Sequence, residues 1–207
     1  MDWVKYLQDQ VVRSPIILAS EVEVALQLDH SSVRRTLGRL QHRGLVERIT
    51  NGIYLNALTQ DFAATDVINV LRPNAYVSLD SALRHWGIST QSPSVLTCVT
   101  TGKPKEYRSK HLNVRFRTIA PKLYWGFKEK ATRYGAYKLA EPEKALLDWV
   151  YLALQNGIEP ALDELNLRNL DRSKLFEYAN KYPSSVLKHL LPVLALSDQA
   201  RGTIRVA

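Results

Sequence analysis

Trp3, Leu7 and Val11 recur every four residues, the spacing of one buried stripe on a helix, and Ser14-Pro15 stops that helix. Ser20 and Glu23 stand three apart, as a capping box requires, and Val22, Ala25 and Leu26 supply the inward face of a second helix. Leu28, Asp29 and His30 form a turn. Ser31 is placed to cap a third helix, whose Val33, Leu37 and Leu40 fall on one face before Gly44 ends it. The pattern then becomes extended. Residues 45–49, the turn Thr50-Asn51-Gly52 and residues 53–55 predict a β-hairpin. Three short helices followed by a tight hairpin is the order of a winged helix-turn-helix, with residues 31–43 as the helix that enters a major groove.

Residues 56–64 are polar and without period and read as a connection, giving an expected winged-helix domain over 1–58 and a second domain over 59–207. There, Val67, Val70 and Leu71 predict a helix ending before Pro73, residues 75–78 a short extended piece, and residues 79–86 a helix closed by Gly87. The β-branched run 95–100 and the alternating run 112–117 predict strands. Glu141-Pro142 starts a long helix with a wide apolar face, and two or three helices follow over 160–196. The fold class is α+β.

The chain has 207 residues, 45% apolar and 23% charged, ordinary globular usage that excludes a disordered or fibrous chain. No apolar run approaches a bilayer span, and the acidic start Met1-Asp2-Trp3 lacks a signal-peptide pattern, so a cytoplasmic location is expected. Cys98 is the only cysteine, which excludes an internal disulfide and zinc sites built on paired cysteines; it reads as a small buried hydrophobe. A net charge of +8 favours a polyanionic partner.

The positive charge is focused twice. Between Arg34 and Arg48 lie five basic side chains opposed only by Glu47. On a helical projection, Ser31, Arg35, Gly38, Arg39 and His42 share the outer face of the third helix, flanked by Arg34 and Arg43. A guanidinium offers a planar fork to guanine O6 and N7 or to a phosphate, and helix N-terminal hydroxyls donate to phosphates. The candidate DNA-binding residues are therefore Ser31, Ser32, Arg34, Arg35, Arg39 and Arg43 on the helix, with Arg48 and Asn51 on the hairpin. The second concentration, from Lys103 to Lys138, holds eleven basic side chains interleaved with aromatic ones. It fits single-stranded nucleic acid equally with a solvated sheet face.

Candidate catalytic chemistry is thin. Glu141, Glu143 and Asp148 form a carboxylate group, but a helix N-terminus favours such charges and Lys144 is spaced to pair with Asp148. Ser78, Asp80 and Ser81 read as turn and cap chemistry, and His85 has no visible catalytic partner. Thr101-Gly102-Lys103 lacks the rest of a phosphate loop. No catalytic residue, metal or cofactor is expected.

Three blocks together resemble a family. They are Leu37-x-x-Leu40-x-x-x-Gly44-Leu45-Val46-x-Arg48 with Gly52-x-Tyr54; Tyr76-Val77-Ser78-x-x-Ser81-Ala82-Leu83-x-x-x-Gly87; and Ala140-Glu141-Pro142-Glu143-Lys144-Ala145-Leu146-Leu147-Asp148. In this order they resemble the AbiE-type (AbiEi) antitoxins of type IV toxin–antitoxin, phage-abortive-infection systems, over about residues 20–155. The resemblance implies an antitoxin, without enzymatic activity, that represses its own promoter by binding repeats in double-stranded DNA; the sequence carries no heptad seam or dimer stripe, so a monomer paired on DNA and a dimer both stand open. It also implies a C-terminal domain that counteracts a separately encoded nucleotidyltransferase toxin. Two other classes stand beside it: a ligand-responsive winged-helix repressor, which predicts an apolar pocket with convergent polar groups, and an enzyme carrying a DNA-binding module.

Overall fold

A computed structural model describes residues 2–203 of the chain, and at 169, 193 and 196–203 the backbone alone. Among these residues it is an α+β protein of eight α-helices and nine strands, in one three-stranded and one six-stranded sheet. The chain divides into two compact units: Met1–Pro73 with Glu106–Val114 and Ala131–Tyr137, and Asn74–Lys105 with Arg115–Lys130 and Lys138–Ala207.

The first unit begins with α1 (Trp3–Val11), β1 (Ile16–Leu18), α2 (Ala19–Leu26) and α3 (His30–His42), then the hairpin β2 (Val46–Thr50) and β3 (Ile53–Asn56). The sheet order is β1-β3-β2, with Ile17 opposite Tyr54 in an antiparallel pair. Leu7, Val22, Val33, Leu37, Leu40, Val46 and Tyr54 close one apolar core beneath the sheet and the three helices. The hairpin turn is Asn51-Gly52, and Gly52 has a φ of 74°, which a side chain would strain.

Several details of this unit differ from the sequence expectation. Strand β1 has no periodic signature because it is only three residues long, and it runs directly into α2. The Ala19 N–H is spent on the Gly52 carbonyl at 2.9 Å, so the helix starts from strand register one residue before Ser20. The Ser20–Glu23 capping box does not form, and Ala25 faces solvent. At α3 the cap is Asp29, not Ser31: its Oδ1 accepts the Ser32 N–H at 2.9 Å, and an ionised acceptor outbids a hydroxyl for that donor. Asn56, expected to open a linker, ends β3 fully buried, its side-chain amide donating to the Leu7 carbonyl at 2.8 Å.

Next come α4 (Ile68–Leu71), β4 (Ala75–Val77), α5 (Leu79–His85), β5 (Leu96–Thr100), β6 (Lys105–Arg108) and β7 (Asn113–Thr118). They are followed by β8 (Phe127–Thr132), β9 (Gly135–Ala140), α6 (Pro142–Gln155), α7 (Arg172–Ala179) and α8 (Ser184–Thr203). The larger sheet runs β6-β7-β5-β4-β9-β8; β4 is antiparallel to β5 and parallel to β9, where Val77 meets Leu139. Pro142 occupies the first turn of α6, where its missing N–H costs nothing. Strands β6, β8 and β9 break the expected pattern: β6 and β8 are the sheet edges, and edge strands carry charges such as Lys105, Lys128 and Lys130 in place of a clean alternation. Among the described residues no helix is long and apolar enough to cross a membrane.

Candidate nucleic-acid interface

Because Val33, Leu37 and Leu40 anchor α3 in the core, the opposite side of the helix is obliged to face solvent. Arg34, Arg35, Arg39 and Arg43 are all exposed, and among the described residues none of them pairs with a carboxylate. Arg39 Nη2 donates to Thr36 Oγ1 at 3.1 Å, and Arg48 Nη2 to Asn51 Oδ1 at 3.4 Å, so both forks are steadied by neutral oxygens. Gly38 lies on the same face, and a Cβ there would meet nothing within 4 Å. Gly44 then turns the chain with a φ of 71°, which brings Arg48 and Asn51 into the adjoining hairpin.

The two N-terminal serines are placed less simply. The Ser31 hydroxyl donates to Asp29 Oδ1 at 2.6 Å, and these hydrogen bonds, led by the Ser31 hydroxyl, hold the Asp29 carboxyl far below its usual range. Asp29 therefore sits ionised at the end of the helix where a phosphate would otherwise be drawn. Glu47, the acid within the cationic segment, is turned to other work: it accepts the Lys110 N–H at 2.7 Å and pairs with His111 Nδ1 at 2.9 Å. Burial pushes the Glu47 carboxyl up, but those bonds outweigh it and the net shift is downward.

The aromatic side chains of the basic stretch between Lys103 and Lys138 are buried or half-buried. None of Tyr107, Phe116, Tyr124, Trp125, Phe127, Tyr134 and Tyr137 is exposed. Phe127 stacks on Tyr76 at 4.9 Å between ring centres, and Trp125 meets Tyr178 edge-on at 4.7 Å. On β7, Val114 and Phe116 point into the core as their alternation predicts, while Arg115 and Arg117 are half-buried, less solvated than a free sheet face would leave them.

The Lys144–Asp148 pair expected from spacing forms, but in a setting the sequence did not announce. Lys144 and Asp148, spaced as a surface pair, are both completely buried, with Nζ and Oδ1 2.6 Å apart. Lys144 spends its other protons on the Leu123 carbonyl at 2.8 Å and the Tyr182 hydroxyl at 2.5 Å. Asp148 accepts Tyr182 at 2.6 Å on Oδ1, and Tyr76 and Ser78, each at 2.8 Å, on Oδ2. Every donor of the ammonium is used and no solvent reaches the pair, so it has the form of a structural bolt between α6, α8's approach at Tyr182 and the β4–α5 junction. Burial drives the Tyr76 and Tyr182 hydroxyls upward and draws the Lys144 ammonium downward.

The remaining candidates also resolve into tertiary contacts. Ser78 stands at the N-cap position of α5, but its hydroxyl makes no capping bond and reaches Asp148 instead, and Ser81 Oγ accepts the Thr97 N–H at 2.8 Å. Asp80 accepts the Trp149 indole N–H at 3.0 Å. Glu141 receives Tyr178 at 2.6 Å and lies 3.0–3.1 Å from Lys174 and Lys128, which together overcome its burial and bring its carboxyl down to about 2. His85 is exposed and edge-on to Trp86. Cys98 is fully buried, which raises its thiol well above the usual range. Among the described residues no group of three or more His, Cys, Asp or Glu side chains is arranged to hold a metal.

Compared with known proteins, the chain matches no family model and no curated sequence.

Proposed function

We propose that this chain is a DNA-binding transcriptional repressor that reads duplex DNA through a winged helix-turn-helix. The element order α1-β1-α2-α3-β2-β3 and the sheet order β1-β3-β2 support that architecture, with α3 as the groove helix and β2–β3 as the wing. The observation that carries the reading is the outer face of α3, where exposed arginines stand, among the described residues, without carboxylate partners around an open Gly38. Such charges are held ready for phosphates and guanine edges rather than for the protein's own acids. Arg34, Arg35 and Arg39 take the groove, and Arg43, Arg48 and Asn51 the flanking backbone. The Ser31 hydroxyl is committed to Asp29 and the Ser32 side chain bonds the same carboxylate, so either serine donates to a phosphate only by leaving the cap.

The three-block resemblance extends the reading to an AbiE-type antitoxin, an autorepressor that counteracts a nucleotidyltransferase toxin. Two experiments separate the parts. Titration of the full chain onto its own promoter region at several salt concentrations should give a log–log slope of roughly −4 to −5, from about four to six neutralised phosphates. A slope near zero contradicts the repressor. Coexpression with a nucleotidyltransferase encoded beside it should rescue growth, and persistent toxicity despite ample folded protein contradicts the antitoxin.

A further inference from the structure

The pair Asn-Gly occurs twice in the chain, at Asn51-Gly52 and Asn156-Gly157, each followed by isoleucine, and the fold treats the two differently. Such a pair is prone to rearrange, because glycine has no side chain to keep its backbone nitrogen away from the asparagine amide carbon. Both asparagines are exposed, so exposure does not distinguish them. Their hydrogen bonds do. Asn156 closes α6, where its side-chain amide donates to the Leu152 carbonyl and the Gly157 N–H donates to the Leu154 carbonyl at 3.1 Å. Both reacting groups are therefore held at the helix end.

Asn51 stands at the tip of the β2–β3 hairpin, between the two strands. Among the described residues no carbonyl takes the Gly52 N–H, and the Asn51 side chain has one hydrogen bond, from Arg48 Nη2 to Oδ1 at 3.4 Å. A cationic donor on that oxygen draws electron density from the amide carbon, the atom to be attacked. The Ala19 N–H, 2.9 Å from the Gly52 carbonyl, holds the peptide group that follows and leaves the one between Asn51 and Gly52 unrestrained.

We infer that Asn51 is a self-modification site whose product switches off the wing as a phosphate contact. The Gly52 backbone nitrogen, its proton lost to water, bonds to Asn51 Cγ; the Cγ–Nδ2 bond breaks and ammonia leaves, closing a succinimide ring. Water then opens the ring at either carbonyl, to aspartate or isoaspartate. One water enters, one ammonia departs, and nothing is oxidised or reduced. The new carboxylate lies where Arg48 already bonds, so it pairs with that arginine and repels an approaching phosphate. This second half rests on the DNA reading; the conversion does not.

The test incubates the full chain at mildly alkaline pH, native and in concentrated urea, and follows both sites by proteolytic mapping and mass spectrometry. In urea the two sites should convert at similar rates, having like neighbours. In the native chain Asn51 should convert at least about tenfold faster than Asn156, where two hydrogen bonds must open first. Equal native rates, a faster Asn156, or no native conversion at Asn51 overturns the site. Asn51→Asp, checked for native circular dichroism, should bind duplex at least about threefold more weakly than wild type, with a salt slope shallower by about one. Unchanged affinity and slope overturn the switch. A wild-type chain that binds no duplex contradicts the repressor reading instead, and the mapping still decides the modification.

Discussion

Removing the Asp148 carboxylate should be among the most destabilising single changes available in this chain. In Asp148→Ala the Lys144 ammonium loses its counter-charge at 2.6 Å while remaining buried, and the Tyr76, Ser78 and Tyr182 hydroxyls lose the acceptor they share. Stranding one member of a buried pair costs roughly 3–5 kcal/mol, and each orphaned buried donor about 1–3 kcal/mol more, although these terms overlap and do not add. An expected loss of about 4 kcal/mol is a large share of the roughly 5–15 kcal/mol that holds a domain folded. Urea denaturation followed by far-ultraviolet circular dichroism measures it, provided the slope with denaturant stays that of the wild type. The double variant Lys144→Met with Asp148→Leu removes both charges together and should cost markedly less than the sum of the two single changes. A cost below about 1 kcal/mol for Asp148→Ala, or simple additivity in the double variant, would refute the description of this cluster as a closed, mutually satisfied bolt.

Three other outcomes follow from the same geometry. Glu141 has a carboxyl held near 2 against an ordinary 4.5, so its contribution to stability is complete above about pH 5 and is lost as pH falls from about 4.5 toward 2; the difference in urea midpoint between wild type and Glu141→Gln should shrink across that window, and a difference that stays constant to pH 2 counts against the assignment. Asp29→Ala removes the cap of α3 and should cost about 1 kcal/mol of stability, yet it also removes a negative charge from the helix end nearest Ser31 and Ser32, so duplex affinity per folded molecule should hold or rise. A fall in that affinity would show that Asp29 itself serves recognition. Cys98 should resist a thiol reagent in the native protein and react only as fast as the chain opens in urea; rapid native labelling would contradict its burial.

Much of the first unit was legible from periodicity because its signals are local. Val33, Leu37 and Leu40 mark the buried side of α3, Gly44 its end, and Asn51-Gly52 the hairpin turn, all within twenty or so residues of one another. Pro142 likewise places the start of α6. What periodicity missed depends on partners distant in the chain. The strand character of residues 16–18 comes from pairing with β3, and that pairing also displaces the expected cap of α2. The edge strand β8 has charged residues at its three central positions 128–130, so no apolar alternation announces it. Lys144 and Asp148 have the spacing of a solvent-facing pair, and only Tyr76 and Tyr182, 72 and 34 residues away from Asp148, make them interior. The candidate DNA-binding arginines were legible because exposure on α3 follows directly from which face is apolar. The Ser31 assignment was not, since the choice between two capping residues two positions apart is settled by hydrogen-bond geometry.

The most direct test of the DNA-binding account is promoter occupancy by the full chain after Arg34, Arg35 and Arg39 are all changed to glutamine. Each lost guanidinium contact is worth about 1–3 kcal/mol, so affinity should fall at least about a hundredfold and the salt slope should flatten, while circular dichroism and the thermal midpoint stay those of the wild type. Undiminished occupancy by that folded triple variant would contradict the account.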